Sequence, residues 1–350
     1  MAASQKIHLA HLDGLRGISI LLVAVSHAGF QTIVPGGFGL TVFFFISGFL
    51  ITSLLMAELE QERHISLYNF YMRRVWRLLP ALLVYIALSL PLIYRQTGQF
   101  HWAEVLAAVF YLTNYYKLFE GFTQLGAAHS PFNVLFSLAI EEHFYLFFAP
   151  LVAWIGARRG MRQAVIWMIV LPLLIRIGVT AATHPDFSEE YTYRATECRL
   201  DSIAWGCLLA LVDWRALCRG RDRLAFCIGL GMILASLLYR DVIFRQTFRY
   251  TLQGLGLLLV IAPIVFSDQV RWVREELSRT WIVWVGQLSY SVYLYHWLAI
   301  IVLQLYFRNI DRTPAWQALY WAITLGLSVL SYYLVEKPCL RLRRKYGSNA

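Results

Sequence analysis

Ten apolar runs, most of them long enough to cross the roughly 30 Å hydrocarbon core of a bilayer as a helix, dominate this sequence of 350 residues. Soluble domains carry about 25% charged residues, whereas this chain carries 15% and is 59% hydrophobic. The sequence therefore predicts an all-α protein, a polytopic transmembrane helix bundle with about ten spans. The runs cover residues 15–32, 38–57, 78–94, 131–155, 162–181, 200–212, 224–239, 251–268, 281–305 and 315–336.

The stretch 101–118 is ambiguous, because it is partly apolar but also carries charged and amide side chains. Positive residues favour cytoplasmic loops, so their distribution indicates whether this stretch crosses the membrane. With a cytoplasmic N-terminus and no crossing here, 21 of the 31 Lys and Arg lie inside and 9 outside, whereas a crossing changes the split to 14 and 16. We therefore predict cytoplasmic termini and a re-entrant or interfacial segment at 101–130 on the outer side.

The formal net charge of +10 does not indicate a nucleic-acid partner, because Lys and Arg lie mostly in short loops between the spans. No two of the five cysteines form a C-x-x-C pair, and no histidine lies at the spacing from them that is typical of zinc sites, so no metal is expected. The sequence also lacks a phosphate loop, an H-E-x-x-H motif and a G-x-S-x-G elbow. We expect residues 1–350 to form one membrane domain with no appended soluble domain.

Charged side chains inside spans are costly, so each is a candidate for function. Arg16 and His27 lie 11 residues apart in the first span. On a regular helix this spacing places them within about 20° of the same face and about 16 Å apart along the axis. Such a pair can hold the anionic end of a long ligand and place its reactive end beside an imidazole. The alternative is that Arg16 reaches lipid headgroups and His27 bonds a neighbouring helix.

Two other charged groups stand out. Glu141 and Glu142 are adjacent in a span, so their side chains point about 100° apart and cannot both face the centre of one cavity. A structural ion pair is the alternative to a catalytic role. The segment 66–77 is typical of an amphipathic surface helix, on which Arg74 and Arg77 are close enough to share one phosphate. Lipid binding and topology signals give the same pattern.

Seven segments follow one another along the chain: Leu12–Gly17 with His27, Phe43–Ile51, Arg73–Pro80, FSLAIEEHFYL at 136–146, RLDSIAWG at 199–206, LSYSVYLYH at 288–296 and VEKP at 335–338. In this order they resemble the acyltransferase-3 family of integral-membrane acyltransferases, over nearly the whole chain. Three positions depart from the family's pattern: Thr41 stands where an acidic residue is frequent, Phe136 replaces a usual Trp and His143 replaces a usual Gln.

The resemblance implies a bacterial inner-membrane enzyme that transfers an acyl group, usually acetyl, from acetyl-CoA to a hydroxyl of a glycan or another sugar-containing acceptor. The family's Arg-x10-His motif falls on Arg16 and His27, and its Arg-x-x-Arg motif falls on Arg74 and Arg77. A neutral imidazole can take the proton of a sugar hydroxyl, so we predict that His27 is the general base. Glu141 is the better of the two carboxylates to orient it.

The predicted site residues form three groups. The catalytic group is His27, Glu141 and Glu142; the group that binds coenzyme A phosphates is Arg16, Arg73, Arg74 and Arg77; and the group that contacts substrate or supports the site is Asp13, Ser47, Arg199, Asp201, Tyr290 and His296.

The other predicted partners are acyl-CoA, a glycan and membrane lipid. The alternative functions are a polytopic transporter or flippase and a structural subunit of a polysaccharide export system. The sequence leaves open the acceptor hydroxyl, the acyl length, a covalent acyl-enzyme and the oligomeric state.

Overall fold

A computed structural model describes residues 10–119, 130–184, 188–307 and 313–347. These parts of the chain are helical and contain no strand, which confirms the predicted all-α polytopic bundle. The α-helices are α1 (Ala10–Val25), α2 (Gly36–Glu62), α3 (Leu67–Thr97), α4 (Trp102–Val109), α5 (Thr113–Phe119), α6 (Phe136–Ile155), α7 (Arg158–Thr183), α8 (Ser188–Arg194), α9 (Thr196–Leu211), α10 (Trp214–Cys218), α11 (Asp222–Leu238), α12 (Val242–Gln246), α13 (Arg249–Phe266), α14 (Arg271–Leu277), α15 (Thr280–Gln287), α16 (Ser289–Tyr306), α17 (Pro314–Ser331) and α18 (Lys337–Arg343). Single π-helical turns follow α1 (Ser26–Phe30) and α17 (Tyr332–Glu336), and 3-10 turns cover Pro131–Leu135 and Arg344–Tyr346.

Among the described residues, seven helical segments are long and apolar enough to cross a membrane. The pair α15 and α16, bent by 68°, makes an eighth if it is one span. The remaining two predicted spans correspond to α9 and α11, which have 16 and 17 residues. At 1.5 Å per residue these two helices reach about 25 Å, slightly less than a full hydrocarbon core. The seven segments are Ala10–Phe30, Gly36–Glu62, Leu67–Thr97, Pro131–Ile155, Arg158–Thr183, Arg249–Phe266 and Pro314–Arg343.

The ambiguous stretch 101–118 folds into α4 and α5, of 8 and 7 residues. Each is about 12 Å long or less, too short to cross a bilayer, as the charge count predicts. Part of the predicted segment 101–130 lies outside the described residues. The predicted surface helix 66–77 is not separate from the span that follows it, because α3 continues without a break from Leu67 to Thr97.

Glycines allow two pairs of helices to cross at very short distances. A Cβ at Gly206 of α9 would lie 1.9 Å from the backbone oxygen of Phe45 in α2. A Cβ at Gly286 of α15 would lie 1.8 Å from the backbone oxygen of Asp13 in α1. Only a residue without a side chain fits at such contacts. These crossings fix α1 and α2, which carry Asp13, Arg16 and Ser47, against the rest of the bundle.

Candidate active site

His27 lies in the π-helical turn Ser26–Phe30, which interrupts the regular helix assumed for the predicted alignment with Arg16. Such turns are frequent at functional sites because they re-aim side chains. Two side chains of α17 hold this turn: Gln317 donates to the carbonyl of Ala28 at 2.7 Å, and Tyr320 donates to that of Ala24 at 2.8 Å. Gly29, with φ 106°, ends the regular helical conformation. This support from α17 could not be predicted from the sequence.

His27 and His296 form a hydrogen-bonded pair. The Nδ1 of His27 lies 2.9 Å from the Nε2 of His296, and the Nδ1 of His296 lies 3.0 Å from the carbonyl oxygen of Val292. A carbonyl oxygen can only accept, so His296 donates from Nδ1. When both rings are neutral, His296 then accepts at Nε2 and His27 donates from Nδ1. This order leaves a lone pair on the Nε2 of His27, the arrangement that a general base requires.

The surroundings of the histidine pair are apolar and aromatic. His296 has no exposed surface. The ring of Trp297 packs edge-on against His27, with centroids 5.3 Å apart, and its indole nitrogen donates to the carbonyl of Ser130 at 2.9 Å. Trp297 therefore bridges the histidine pair and the start of the 3-10 turn before α6.

Glu141 lies with the arginines rather than with the histidines. Its Oε1 accepts a hydrogen bond of 2.8 Å from Ser47. It also interacts electrostatically with Arg16, Arg77 and Arg74. The hydrogen-bond partner of His27 is His296, so the place predicted for Glu141 beside the base is filled by another residue.

Glu142 and His143 follow Glu141 in α6, and their side chains point in different directions, as the angular step of a helix requires. Glu142 interacts electrostatically with Arg74 and Arg77, and its Oε1 has no hydrogen-bond partner among the described residues. His143 faces away from the arginines, because its Nδ1 lies 2.8 Å from the hydroxyl of Thr196.

Arg16, Arg74 and Arg77 come together as predicted, and we call them the arginine cluster. Arg74 stacks on Phe70, with its guanidinium carbon 3.6 Å from the ring centroid, and its buried Nε has no hydrogen-bond partner in the described chain. Arg77 makes no hydrogen bond or ion pair with any described residue, although it interacts electrostatically with Arg16 and Arg74. Arg16 lies 3.8 Å from Asp13. The cluster therefore holds guanidinium groups with unused donors.

Two further arginines lie near this cluster. Arg73 is 3.1 Å from Glu58 and donates to the carbonyl of Tyr346 at 2.8 Å, so its charge is already paired. Arg343 of α18 interacts electrostatically with Arg77, Arg74 and other members of the cluster. The sequence analysis did not single out Arg343, although the basic run 337–345 contains it.

Three other predicted residues, Tyr290, Asp201 and Arg199, contact neither the histidine pair nor the arginine cluster in the hydrogen bonds, ion pair and ring contact described here. Tyr290 donates to the carbonyl of Leu78 at 2.9 Å and so ties α16 to α3. Asp201 forms a completely buried ion pair with Arg176, at 2.7 Å. Arg199 lies on the same helix as Asp201 but stacks on a different partner, the ring of Tyr250.

Comparison with known proteins identifies the family of this chain. A family described as acyltransferase domain matches residues 9–333. This chain therefore belongs to that acyltransferase family, as the seven sequence segments predict.

Three curated relatives are each 29% identical to this chain. The O-acetyltransferase OatA of Staphylococcus aureus aligns with 98% of the chain and 58% of its own length. The peptidoglycan O-acetyltransferase OatA of Listeria monocytogenes aligns with 95% and 56%, and the putative peptidoglycan O-acetyltransferase YrhL of Bacillus subtilis aligns with 95% and 55%. The chain thus spans little more than half the length of these relatives. No solved structure matches it.

Proposed function

We propose that this chain is a membrane O-acyltransferase that moves an acetyl group from acetyl-CoA to a hydroxyl of a glycan. Membership of the acyltransferase family supports the reaction class. The names of its relatives support acetyl as the group and peptidoglycan or a similar glycan as the acceptor. The observation that carries the proposal is the hydrogen bond between His27 and His296, because it leaves the Nε2 of His27 free to accept a proton.

The arginine cluster is the proposed site for the phosphates of the donor. Charge-assisted hydrogen bonds from guanidinium groups to phosphate are among the strongest in proteins. Arg77 makes no hydrogen bond or ion pair with a described residue and interacts with the two glutamates of α6 only electrostatically. Arg74 has a buried Nε without an acceptor among the described residues. Arg73 is paired with Glu58, so we assign it to holding the start of α3 in place. Arg16 lies on α1 and His27 on the turn that follows it, so this segment links the two ends of the site.

In the proposed reaction, the Nε2 of His27 takes the proton of the sugar hydroxyl as its oxygen attacks the thioester carbonyl. A carbon–oxygen bond forms, the carbon–sulfur bond breaks, and the imidazolium returns the proton to the thiolate of coenzyme A. The Nε2 of His296 keeps accepting the hydrogen bond from the Nδ1 of His27 throughout. His296 therefore fixes the tautomer and orientation of the base, as a carboxylate does in other enzymes.

We assign Glu141 and Glu142 to the donor end of the site. Two carboxylates among three arginines offset part of the positive charge before the donor binds. The hydrogen bond from Ser47 holds Glu141 in this position. The charge distribution along the sequence supports an arginine cluster on the cytoplasmic side, where acetyl-CoA is made, with the histidine pair nearer the outer side. We place the protein in a bacterial inner membrane.

Mass spectrometry of the host's glycans tests the proposal. Deletion of the gene should remove acetyl groups from one glycan without changing how much of that glycan reaches the surface. A plasmid copy should restore acetylation, and a His27→Gln copy should not. If deletion lowers the amount of surface glycan and leaves its acetylation unchanged, the protein is a transporter or an export subunit instead.

A further inference from the structure

Arg199 is a buried cation whose donors are mostly unused. Its side chain is 1% exposed, and its guanidinium carbon lies 3.8 Å from the centroid of the Tyr250 ring. One nitrogen, Nη2, donates to the hydroxyl of Thr41 at 3.2 Å. Both Nε and Nη1 are buried and have no hydrogen-bond partner in the described chain. A guanidinium stacked on a ring still presents its N–H groups in its own plane, where an anion can accept them.

A second arginine with an unused donor, Arg249, also contacts this tyrosine, with its guanidinium carbon 4.7 Å from the ring centroid. Arg249 donates to the hydroxyl of Tyr250 at 2.6 Å, and its Nε is also buried without a partner among the described residues. Tyr193 interacts electrostatically with both Arg199 and Arg249. Two positive charges therefore converge around two tyrosine rings.

The carboxylates nearby have other partners. Asp201 accepts from Arg176, at 2.7 Å, in a completely buried pair. Glu197 accepts a hydrogen bond of 2.5 Å from Tyr115 and another from Tyr191. Burial of an unpaired charge is costly, and the cost is removed when a counter-ion binds. Neither of these described carboxylates is therefore available to neutralise the charge around Tyr250, which favours a bound anion.

A series of contacts runs from this group to an exposed residue and to the turn that carries His27. The hydroxyl of Thr41 lies 3.2 Å from Oε1 of Gln253 and 3.3 Å from the carbonyl oxygen of Gly37, one turn earlier in α2, either of which can accept its proton. Gly37 is exposed, and a Cβ there would lie 3.7 Å from the hydroxyl of Tyr193, so no side chain fills this place. Its neighbour Gly36 packs against Ser26, the residue before His27. Gly37 is thus an exposed position beside Tyr193 and close to the turn that carries His27.

We propose that Arg199 and Arg249, with the rings of Tyr193 and Tyr250, bind the oxyanion of an acidic sugar, either a carboxylate or a phosphate. Guanidinium groups recognise both oxyanions by charge-assisted hydrogen bonds. That this sugar is the acyl acceptor rests on the proposed function. The anion site itself is separate from the arginine cluster, because it lies on α9 and α13 rather than on α1 and α3.

Thermal stability of the purified protein in nanodiscs tests the site without any acyl transfer, since a ligand that binds the folded state raises the unfolding temperature. The probes are glucuronate, glucose 1-phosphate, inorganic phosphate and neutral glucose, at constant ionic strength. We expect glucuronate or glucose 1-phosphate to raise the unfolding temperature of the wild type, and glucose and inorganic phosphate to leave it unchanged. The two sugar anions distinguish a carboxylate ligand from a phosphate ligand.

Four variants locate the effect. Thr41→Asp places a carboxylate where Arg199 already donates, so it should pair with Arg199 and abolish the shift. Thr41→Asn is its uncharged match and should keep the shift. Arg199→Gln should lose it, and Arg240→Gln, which changes an exposed arginine after α11, should keep it. Each variant is first checked for a single symmetric peak in size-exclusion chromatography.

Three results would overturn the proposal: no shift of the wild type with either sugar anion, an equal shift in Arg199→Gln or Thr41→Asp, or an equal shift with inorganic phosphate alone. The last would mean that the site binds a free ion and not a sugar. Failure of the proposed function has a different signature, because a protein that binds the acidic sugar normally but transfers no acetyl group would contradict only the enzyme assignment.

Discussion

His296 controls which nitrogen of His27 can accept a proton, and this control depends on one hydrogen bond of 2.9 Å. His296→Phe removes the acceptor, so the Nδ1 proton of His27 is no longer held and both tautomers and ring orientations become populated. We expect kcat to fall by at least ~10-fold, part of the 10²–10⁴ that general acid–base catalysis supplies, with the KM for acetyl-CoA unchanged.

A conservative variant separates positioning from packing. His296→Gln retains an oxygen that can accept from His27, so it should recover part of the lost kcat and restore the shape of the pH–rate profile. Equal losses in the Phe and Gln variants, with a pH profile like that of the wild type, would mean that His296 only fills space.

The arginine cluster makes a separate prediction about donor affinity. Arg77→Ala should weaken acetyl-CoA binding by about 1.5–3 kcal/mol, the scale of a hydrogen bond to a charged group. Isothermal titration in detergent measures it, and Arg159→Ala, which changes an exposed arginine at the start of α7, is the matched control. If Arg77→Ala binds acetyl-CoA with the wild-type affinity, Arg77 contacts lipid and not the donor.

The helices could be predicted from the sequence, whereas the contacts between them mostly could not. Apolar length placed a helix at each of the ten predicted spans. The angular step of a helix suggested that Glu141 and Glu142 would not share one site, but both interact electrostatically with Arg74 and Arg77. The partner of His27 could not be anticipated in this way, because it is 269 residues away in the chain. The π-helical turn was also missed, since contacts from α17 hold it and no residue pattern within α1 specifies it.

The close crossing of α2 and α9 gives a prediction about how these helices pack. Gly206→Ala puts a Cβ 1.9 Å from the backbone oxygen of Phe45, so the helices must separate. We expect a loss of about 1–3 kcal/mol in the free energy of unfolding, typical of overpacking. Gly178→Ala is the control, because no atom lies within 4 Å of its added Cβ and the change should be neutral or stabilising. A similar stability for both variants would contradict the close crossing.

The whole molecule has its proposed donor and acceptor groups at opposite ends of α1. Thiol labelling of single cysteines in a background without the five native ones tests which end is cytoplasmic. Cysteines at positions 159 and 219 should resist an impermeant reagent in intact cells, and those at 189 and 241 should react, because positive residues favour the inside. The reverse pattern would place the arginine cluster outside, away from any cytoplasmic donor.

The central claim is that His27 is the base for acyl transfer. Purified protein in liposomes, supplied with radiolabelled acetyl-CoA and a glycan acceptor, tests it through His27→Gln. Glutamine can still donate to His296 but cannot take a proton at neutral pH, so turnover should fall by at least ~10²-fold while acetyl-CoA affinity stays at the wild-type value. Transfer by His27→Gln at close to the wild-type rate would contradict the account.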